Sequence, residues 1–211
     1  MQILARAGWP VLCDETRPAD ASNPRGYYEF EPVKGTLRDA SWVDRAAGKA
    51  VKVIHALLPG LPSDRRYRVL LMHRDLDEVI ASQDALLARM GRTAPPLPRA
   101  RLAEILDRQL AETRRLLSTA ACFEWIEVEH ARLIREPARE ISRIGAFLEL
   151  DLESGSPLGG EDGGEGKDES TSGLAALVAC VDESLHRERA GDPHGPQDGE
   201  ASGGGGKASR I

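Results

Sequence analysis

The chain has 211 residues, of which 41% are hydrophobic and 4% aromatic, and its formal net charge is −6 at pH 7. This length and composition predict one domain with a core built mainly from aliphatic side chains. An acidic chain lacks the basic face that general nucleic-acid binding needs, and no apolar run reaches the roughly 18 residues of a membrane-spanning helix, so we expect neither kind of partner.

The first third of the chain predicts short elements joined by loops. Residues 1–8 carry apolar side chains at helical spacing and predict a short helix. Residues 11–25 are rich in Pro and Asp and predict a loop, which a short helix over 29–36 follows. Apolar residues alternate over 50–55 and predict a strand, and two prolines within 57–64 predict a turn.

The middle of the chain predicts longer elements. The run 67–72 is apolar and β-prone apart from Arg68, as a strand covered on both faces is, and the last strand is predicted over 123–128. Helices are predicted over 75–90 and 99–120, and a third begins at Pro137, a residue type that the first turn of a helix tolerates well. Three strands that alternate with helices indicate an α/β fold with a mostly parallel sheet.

Composition divides the chain into four parts. Residues 1–152 form the predicted α/β domain. Residues 153–173 are rich in Gly, Ser and acidic side chains and predict a flexible linker. Residues 174–190 predict a C-terminal helix that docks on the domain, and residues 191–211 predict a disordered tail.

The junction between the strand at 67–72 and the next helix carries the strongest signal for a ligand. Arg74 lies at the carboxyl end of this strand, and Ser82 follows eight residues later. Ligands of open α/β sheets bind at the carboxyl ends of strands, and a guanidinium can donate two hydrogen bonds to one phosphate. The alternative is that Arg74 only pairs with a local carboxylate such as Glu78.

This junction resembles the 3′-phosphate-binding segment of sulfotransferases that use 3′-phosphoadenosine 5′-phosphosulfate (PAPS). In that family, an Arg and a Ser eight residues apart bind the 3′-phosphate of the nucleotide. Further segments resemble the family in the family's own order: NPRGYYEFEPVK at 23–34, KAVKVIHALLPGLP at 49–62, the strand and helix at 123–150, and VDESLHRER at 181–189. The resemblance implies a P-loop NTPase-like parallel sheet flanked by helices, and transfer of a sulfuryl group from PAPS to a hydroxyl or amine.

The family's Gly-rich loop, which holds the 5′-phosphosulfate, has no counterpart in this sequence. Residues 1–8 resemble the back half of the helix that follows that loop, and the Gly-rich runs at 159–166 and 203–206 lack a preceding strand. We therefore expect a chain whose first strand and P-loop are missing, either because it is a fragment or because the loop was lost. Without that loop the chain is expected to be inactive, since 3′-phosphate binding alone stabilises the transition state little.

The resemblance also implies residues for the acceptor and the nucleotide. A His near the end of the family's second strand takes the acceptor proton, and His55, three residues after Lys52, is the candidate base because an imidazole titrates near neutrality. The alternative is that His55 caps a turn. Arg187 is expected to reach the nucleotide, or else to lie on a solvated helix end. Arg25 and Tyr27 either line the acceptor pocket or pack beneath it.

Cysteine and histidine usage predicts neither disulfides nor a metal site. Cys13, Cys122 and Cys180 are an odd number with wide spacing, and the five histidines do not pair at metal-ligand spacing. Cys122 and Cys180 lie in apolar sequence and are expected to be core residues. A reducing, cytoplasmic location fits this pattern, and no signal peptide is recognised.

Two other functions compete with a sulfotransferase. The first is a degenerate, non-catalytic relative that binds a 3′-phosphoadenosine nucleotide or a protein partner. The second is a nucleotide kinase, which requires a Walker-type Gly-Lys-Ser/Thr and an acidic Mg²⁺ ligand after a strand. The chain has no Walker motif, and Arg74 lies where that acid is needed, so we disfavour the kinase.

Overall fold

The structure is a computed structural model that describes residues 1–14, 16–17, 19, 23–89, 91, 98–151, 156–157 and 173–181. Arg187, the predicted tail at 191–211 and most of the predicted linker at 153–173 lie outside these residues. None of the helices in the described ranges is both long and apolar enough to span a membrane.

The described elements are mixed α and β. The helices are α1 (Gln2–Arg6), α2 (Leu76–Arg89), α3 (Arg99–Thr119), α4 (His130–Arg135), α5 (Pro137–Leu148) and α6 (Gly173–Val178). The strands are β1 (Tyr67–His73), β2 (Phe123–Glu129), β3 (Leu150–Asp151) and β4 (Ser156–Pro157). Three 3₁₀ helices precede β1, at Glu31–Gly35, Ser41–Ala46 and His55–Gly60.

The central sheet consists of β1 and β2, which pair in parallel from Tyr67 opposite Phe123 to His73 opposite Glu129. The connection between them contains α2 and α3, as a parallel pair requires a long crossover. The predicted strands at 67–72 and 123–128 are confirmed, each with one more residue. The small β3–β4 pair is antiparallel and forms a separate sheet. The chain is therefore an α/β protein with a small parallel sheet.

The third predicted strand, over 50–55, is wrong. Ala50 makes only an isolated parallel bridge with Val11, and His55 already begins a 3₁₀ helix. The alternating apolar residues of this segment do not belong to a hydrogen-bonded strand pair. Val51 and Val53 instead pack against the cluster around Phe30 and Trp42. The two-residue period was thus real, but it reflected burial of alternate side chains in an extended segment.

Helices cover both faces of the central sheet. Successive strand residues point to opposite faces. Leu71 packs with Leu117 of α3 on one face, and Val128 packs with Leu4 of α1 and Ile144 of α5 on the other. Because both faces are covered, the carboxyl edge of the sheet, at His73 and Glu129, is where chemistry-bearing side chains can meet a ligand.

The predicted helices before residue 150 are confirmed within a few residues, with one change of type. The C-terminal helix predicted over 174–190 is shorter: α6 ends at Val178, and residues 182–190 lie outside the described residues. The stretch predicted as a helix over 29–36 is the 3₁₀ helix Glu31–Gly35. Pro137 is at the first position of α5, where its missing N–H leaves no hydrogen bond unmade. α5 ends at Leu148, and Glu149 after it has a left-handed φ of 57° that closes the helix.

Candidate functional site

The segment after β1 turns directly into α2 through an aspartate cap. Asp75 Oδ1 accepts hydrogen bonds from the backbone N–H groups of Asp77 at 2.9 Å and Glu78 at 3.3 Å. These are donors that a helix start otherwise leaves unsatisfied. Because Asp75 satisfies them, recognition of an anion at this strand end would depend on side chains, above all on Arg74.

Arg74 contacts a buried carboxylate. Its Nε donates to Glu78 Oε2 at 2.9 Å, and Glu78 is only 7% exposed. The local carboxylate that the alternative interpretation of Arg74 requires is therefore present. The two interpretations are compatible, since a guanidinium carries five N–H donors and a phosphate is bound best through the terminal nitrogens.

Ser82 lies on α2, half-buried, six residues after the helix begins. Six residues of α-helix correspond to about 9 Å along the helix axis. A phosphate that contacts both Arg74 and Ser82 must therefore lie between the end of β1 and the second turn of α2. The structure puts the two predicted residues on one continuous strand–helix unit.

His55 is the first residue of the 3₁₀ helix His55–Gly60, and its Nε2 lies 3.2 Å from Oε1 of Gln109 on α3. Lys52 contacts other groups: its Nζ donates to the Tyr27 carbonyl at 3.4 Å and lies 3.8 Å from Glu29. The two side chains that the resemblance pairs are thus directed to different parts of the protein.

A polar cluster at the carboxyl edge of the sheet was missed from sequence. Arg114 of α3 donates to Glu127 of β2 through Nη2 at 2.6 Å and Nε at 3.2 Å. His73 of β1 brings its Nδ1 to 3.8 Å from the same carboxylate. We call Arg114, Glu127 and His73 the edge cluster. The parallel register places residues 73 and 127 on one face, but that register is known only once the strand pairing is known.

The edge cluster has a defined charge state. The hydrogen bond from Arg114 is the main reason that the pKa of the Glu127 carboxylate is lowered, and Coulomb attraction to Arg114 and His73 adds to it while burial opposes it. The same pairing raises the pKa of Arg114. The carboxylate therefore stays ionised at neutral pH and ties α3 to β2.

This charge state gives a prediction for stability against pH. The folded-state pKa of Glu127 is below the unfolded value of about 4.3, so its pairing stabilises the fold above that value and is lost as the pH falls through the folded-state pKa. Urea unfolding midpoints should therefore fall less between about pH 6 and about pH 3 in Glu127→Gln than in wild type. Equal losses in the two proteins would contradict the assignment.

Arg25 links α1 to the turn that follows α6. Its Nη1 donates to the Cys180 carbonyl at 2.7 Å and to Gln2 Oε1 at 3.2 Å. It lines an open cleft of about 490 Å³ between α1 and the turn after α6, together with Arg6 and Tyr28. Tyr28 has a φ of 51°, a left-handed conformation that is costly for a residue with a side chain.

The Arg17 guanidinium stacks over the ring of Tyr27, with Arg17 Cζ 3.5 Å from the centre of that ring. The two residues of this segment that sequence could not separate thus differ: Arg25 lines a cleft, and Tyr27 is stacked.

Cys122 and Cys180 are half-buried and not core residues, and Cys13 is exposed; all three are free thiols. In the part of the chain that the structure describes, no three His, Cys, Asp or Glu side chains group closely enough to hold a metal ion. Comparison of the chain with protein-family models, curated proteins and solved structures found no match.

Proposed function

We propose that this protein is a sulfotransferase-like α/β protein that binds a 3′-phosphoadenosine nucleotide, with Arg74 and Ser82 as ligands of the 3′-phosphate. The co-substrate is PAPS, and the intact catalytic unit transfers a sulfuryl group to a hydroxyl or amine. The proposal includes a P-loop NTPase-like relationship for the small parallel sheet. It rests on the sequence resemblance together with the geometry at the end of β1.

The observation that carries the proposal is the position of Arg74. It follows a parallel strand whose two faces are covered by helices, and α2, which carries Ser82, begins two residues later. The carboxyl end of such a strand is the usual ligand side of an α/β sheet. Asp75 accepts hydrogen bonds from two of the backbone N–H groups at the helix start, so we assign recognition of the ligand to the guanidinium and the hydroxyl.

The proposed reaction assigns a proton acceptor. The acceptor oxygen or nitrogen attacks the sulfur of PAPS, the bond from sulfur to the bridging phosphate oxygen breaks, and adenosine 3′,5′-bisphosphate leaves. The acceptor proton passes to His55. When Gln109 Oε1 accepts a hydrogen bond from Nε2, the neutral imidazole holds its proton there and Nδ1 is the atom that takes the acceptor proton.

Non-catalytic nucleotide binding is the second candidate function. It requires the Arg74 site but no base, and it is favoured by the contact that engages one of the two ring nitrogens of His55 with Gln109. Both candidates predict nucleotide binding. In a form of the protein that contains a 5′-phosphosulfate-binding loop, only the transferase predicts turnover of PAPS, and only the transferase predicts that substitution of His55 lowers this turnover while leaving the affinity for adenosine 3′,5′-bisphosphate unchanged.

Titration calorimetry with adenosine 3′,5′-bisphosphate tests the shared part of the proposal. We expect Arg74→Ala to bind at least about tenfold more weakly than wild type, a loss of about 1.4 kcal/mol, because the 3′-phosphate loses a charge-assisted partner. Arg139→Ala is the matched control, since Arg139 is also ion-paired, with Glu136 at 2.9 Å, but lies on α5 with its side chain 75% exposed.

The control should bind as wild type does. Equal affinity of Arg74→Ala and wild type, or no binding by a well-folded wild type, would contradict the proposed site.

A further inference from the structure

Glu78 is an unusual neighbour for a proposed phosphate site. Its carboxylate is almost completely buried, in the first turn of α2, and it accepts a hydrogen bond from Arg74 Nε at 2.9 Å. A negative charge so close to the proposed 3′-phosphate repels the ligand, and this repulsion is strong where water is scarce. A buried carboxylate at this place therefore needs a compensating role.

We propose that Glu78 is a positioning residue that fixes the guanidinium plane of Arg74 for the 3′-phosphate. This inference rests on the proposed function. A carboxylate on Nε sets the rotation of the guanidinium, and the terminal nitrogens then have one fixed direction. An Arg side chain has many rotamers, and a side chain that is already ordered loses less entropy when the ligand binds.

Glu78 thus acts on binding in two opposite ways. Its charge weakens the affinity for the phosphate, and its acceptor oxygen strengthens it by orienting Arg74. Substitutions of equal chain length separate the two effects, because Glu78→Gln and Glu78→Met both remove the charge but only Gln keeps an oxygen that can accept from Arg74 Nε.

The test is the affinity of the full chain for adenosine 3′,5′-bisphosphate by calorimetry. We expect Glu78→Gln to bind about threefold more tightly than wild type, since repulsion is removed and geometry is kept. We expect Glu78→Met to bind about tenfold more weakly than Glu78→Gln, since Arg74 is no longer oriented. Equal affinities of the Gln and Met variants would overturn the positioning role.

Two further measurements keep the result decisive. If Glu78→Met does not fold, Glu78→Asp replaces it. This variant keeps the charge but is one methylene shorter, so it should bind the bisphosphate more weakly than wild type. An affinity equal to that of wild type would overturn the proposal. Adenosine 5′-monophosphate, which lacks the 3′-phosphate, should bind the Gln and Met variants equally. A difference for this nucleotide would indicate a general structural effect and would also overturn it.

The outcomes also separate this inference from the proposed function. A folded wild type that does not bind the bisphosphate contradicts the proposed function itself. If the wild type binds, Arg74→Ala does not, and Glu78→Gln and Glu78→Met bind with equal affinity, then the nucleotide site is supported and only the positioning role of Glu78 is wrong.

Discussion

Arg143→Ala is expected to destabilise the protein by about 3 kcal/mol, because it leaves a buried carboxylate without its partner. Glu140, on α5, is 1% exposed, and Arg143 donates to its Oε2 through Nη2 at 2.7 Å and Nε at 3.2 Å. Arg143 Nη2 also donates to the backbone carbonyl of Glu127 at 2.7 Å. The substitution therefore removes a charge partner and a tie between α5 and β2.

The same helix supplies a matched control. Arg139 pairs with Glu136 at the same three-residue spacing, but both side chains are exposed, and such surface pairs contribute about 0 to 1 kcal/mol. Urea unfolding of Arg143→Ala, Arg139→Ala and wild type at neutral pH measures both effects. Similar small losses in the two variants would show that Glu140 is not a buried charge that needs Arg143.

Leu117→Ala is the second large expected loss, again about 3 kcal/mol. Leu117 is 1% exposed, and it packs with Leu71 of β1 and Leu58 of the 3₁₀ helix that begins at His55. Truncation removes buried methyl groups and leaves a cavity where three elements meet. The loss should appear in the midpoint of urea unfolding with an unchanged slope, as a pure change in stability does.

Leu37→Ala is the control for Leu117→Ala. Leu37 is 62% exposed, so its truncation should change the free energy of unfolding by less than about 0.5 kcal/mol. If Leu117→Ala is as stable as Leu37→Ala, then α3 does not pack on the sheet as the structure has it. That result would also remove the basis for the contact between His55 and Gln109.

The elements that sequence predicted well are those with a strong period and clear boundaries. β1 has four consecutive apolar residues at its centre, as strands buried on both faces do, and α5 begins at a proline. The segment at 50–55 failed because alternation reports which side chains are buried and not whether a neighbouring strand is present. Its alternate residues pack against the 3₁₀ helices Glu31–Gly35 and Ser41–Ala46, and only the first of these lies in a segment that was predicted as a helix.

The proposed phosphate ligands could be predicted from sequence because one strand–helix unit contains both of them. Arg74 directly follows β1 and Ser82 lies on α2, so one stretch of sequence contains both, and the resemblance to the sulfotransferase segment implied a common ligand for them. The edge cluster was missed because its three members come from β1, α3 and β2, and their meeting depends on the register and on helix packing. The contact of Glu78 with Arg74 was only one possibility, since the sequence did not show that this carboxylate is buried.

The most direct test of the central claim is the affinity difference between adenosine 3′,5′-bisphosphate and adenosine 5′-monophosphate, measured by calorimetry in wild type and in Arg74→Ala. The two nucleotides differ only in the 3′-phosphate, so the cycle isolates the interaction of that group with Arg74. We predict that wild type prefers the bisphosphate by at least about tenfold and that Arg74→Ala loses most of this preference. An undiminished preference in Arg74→Ala would contradict the assignment of Arg74 as the 3′-phosphate ligand.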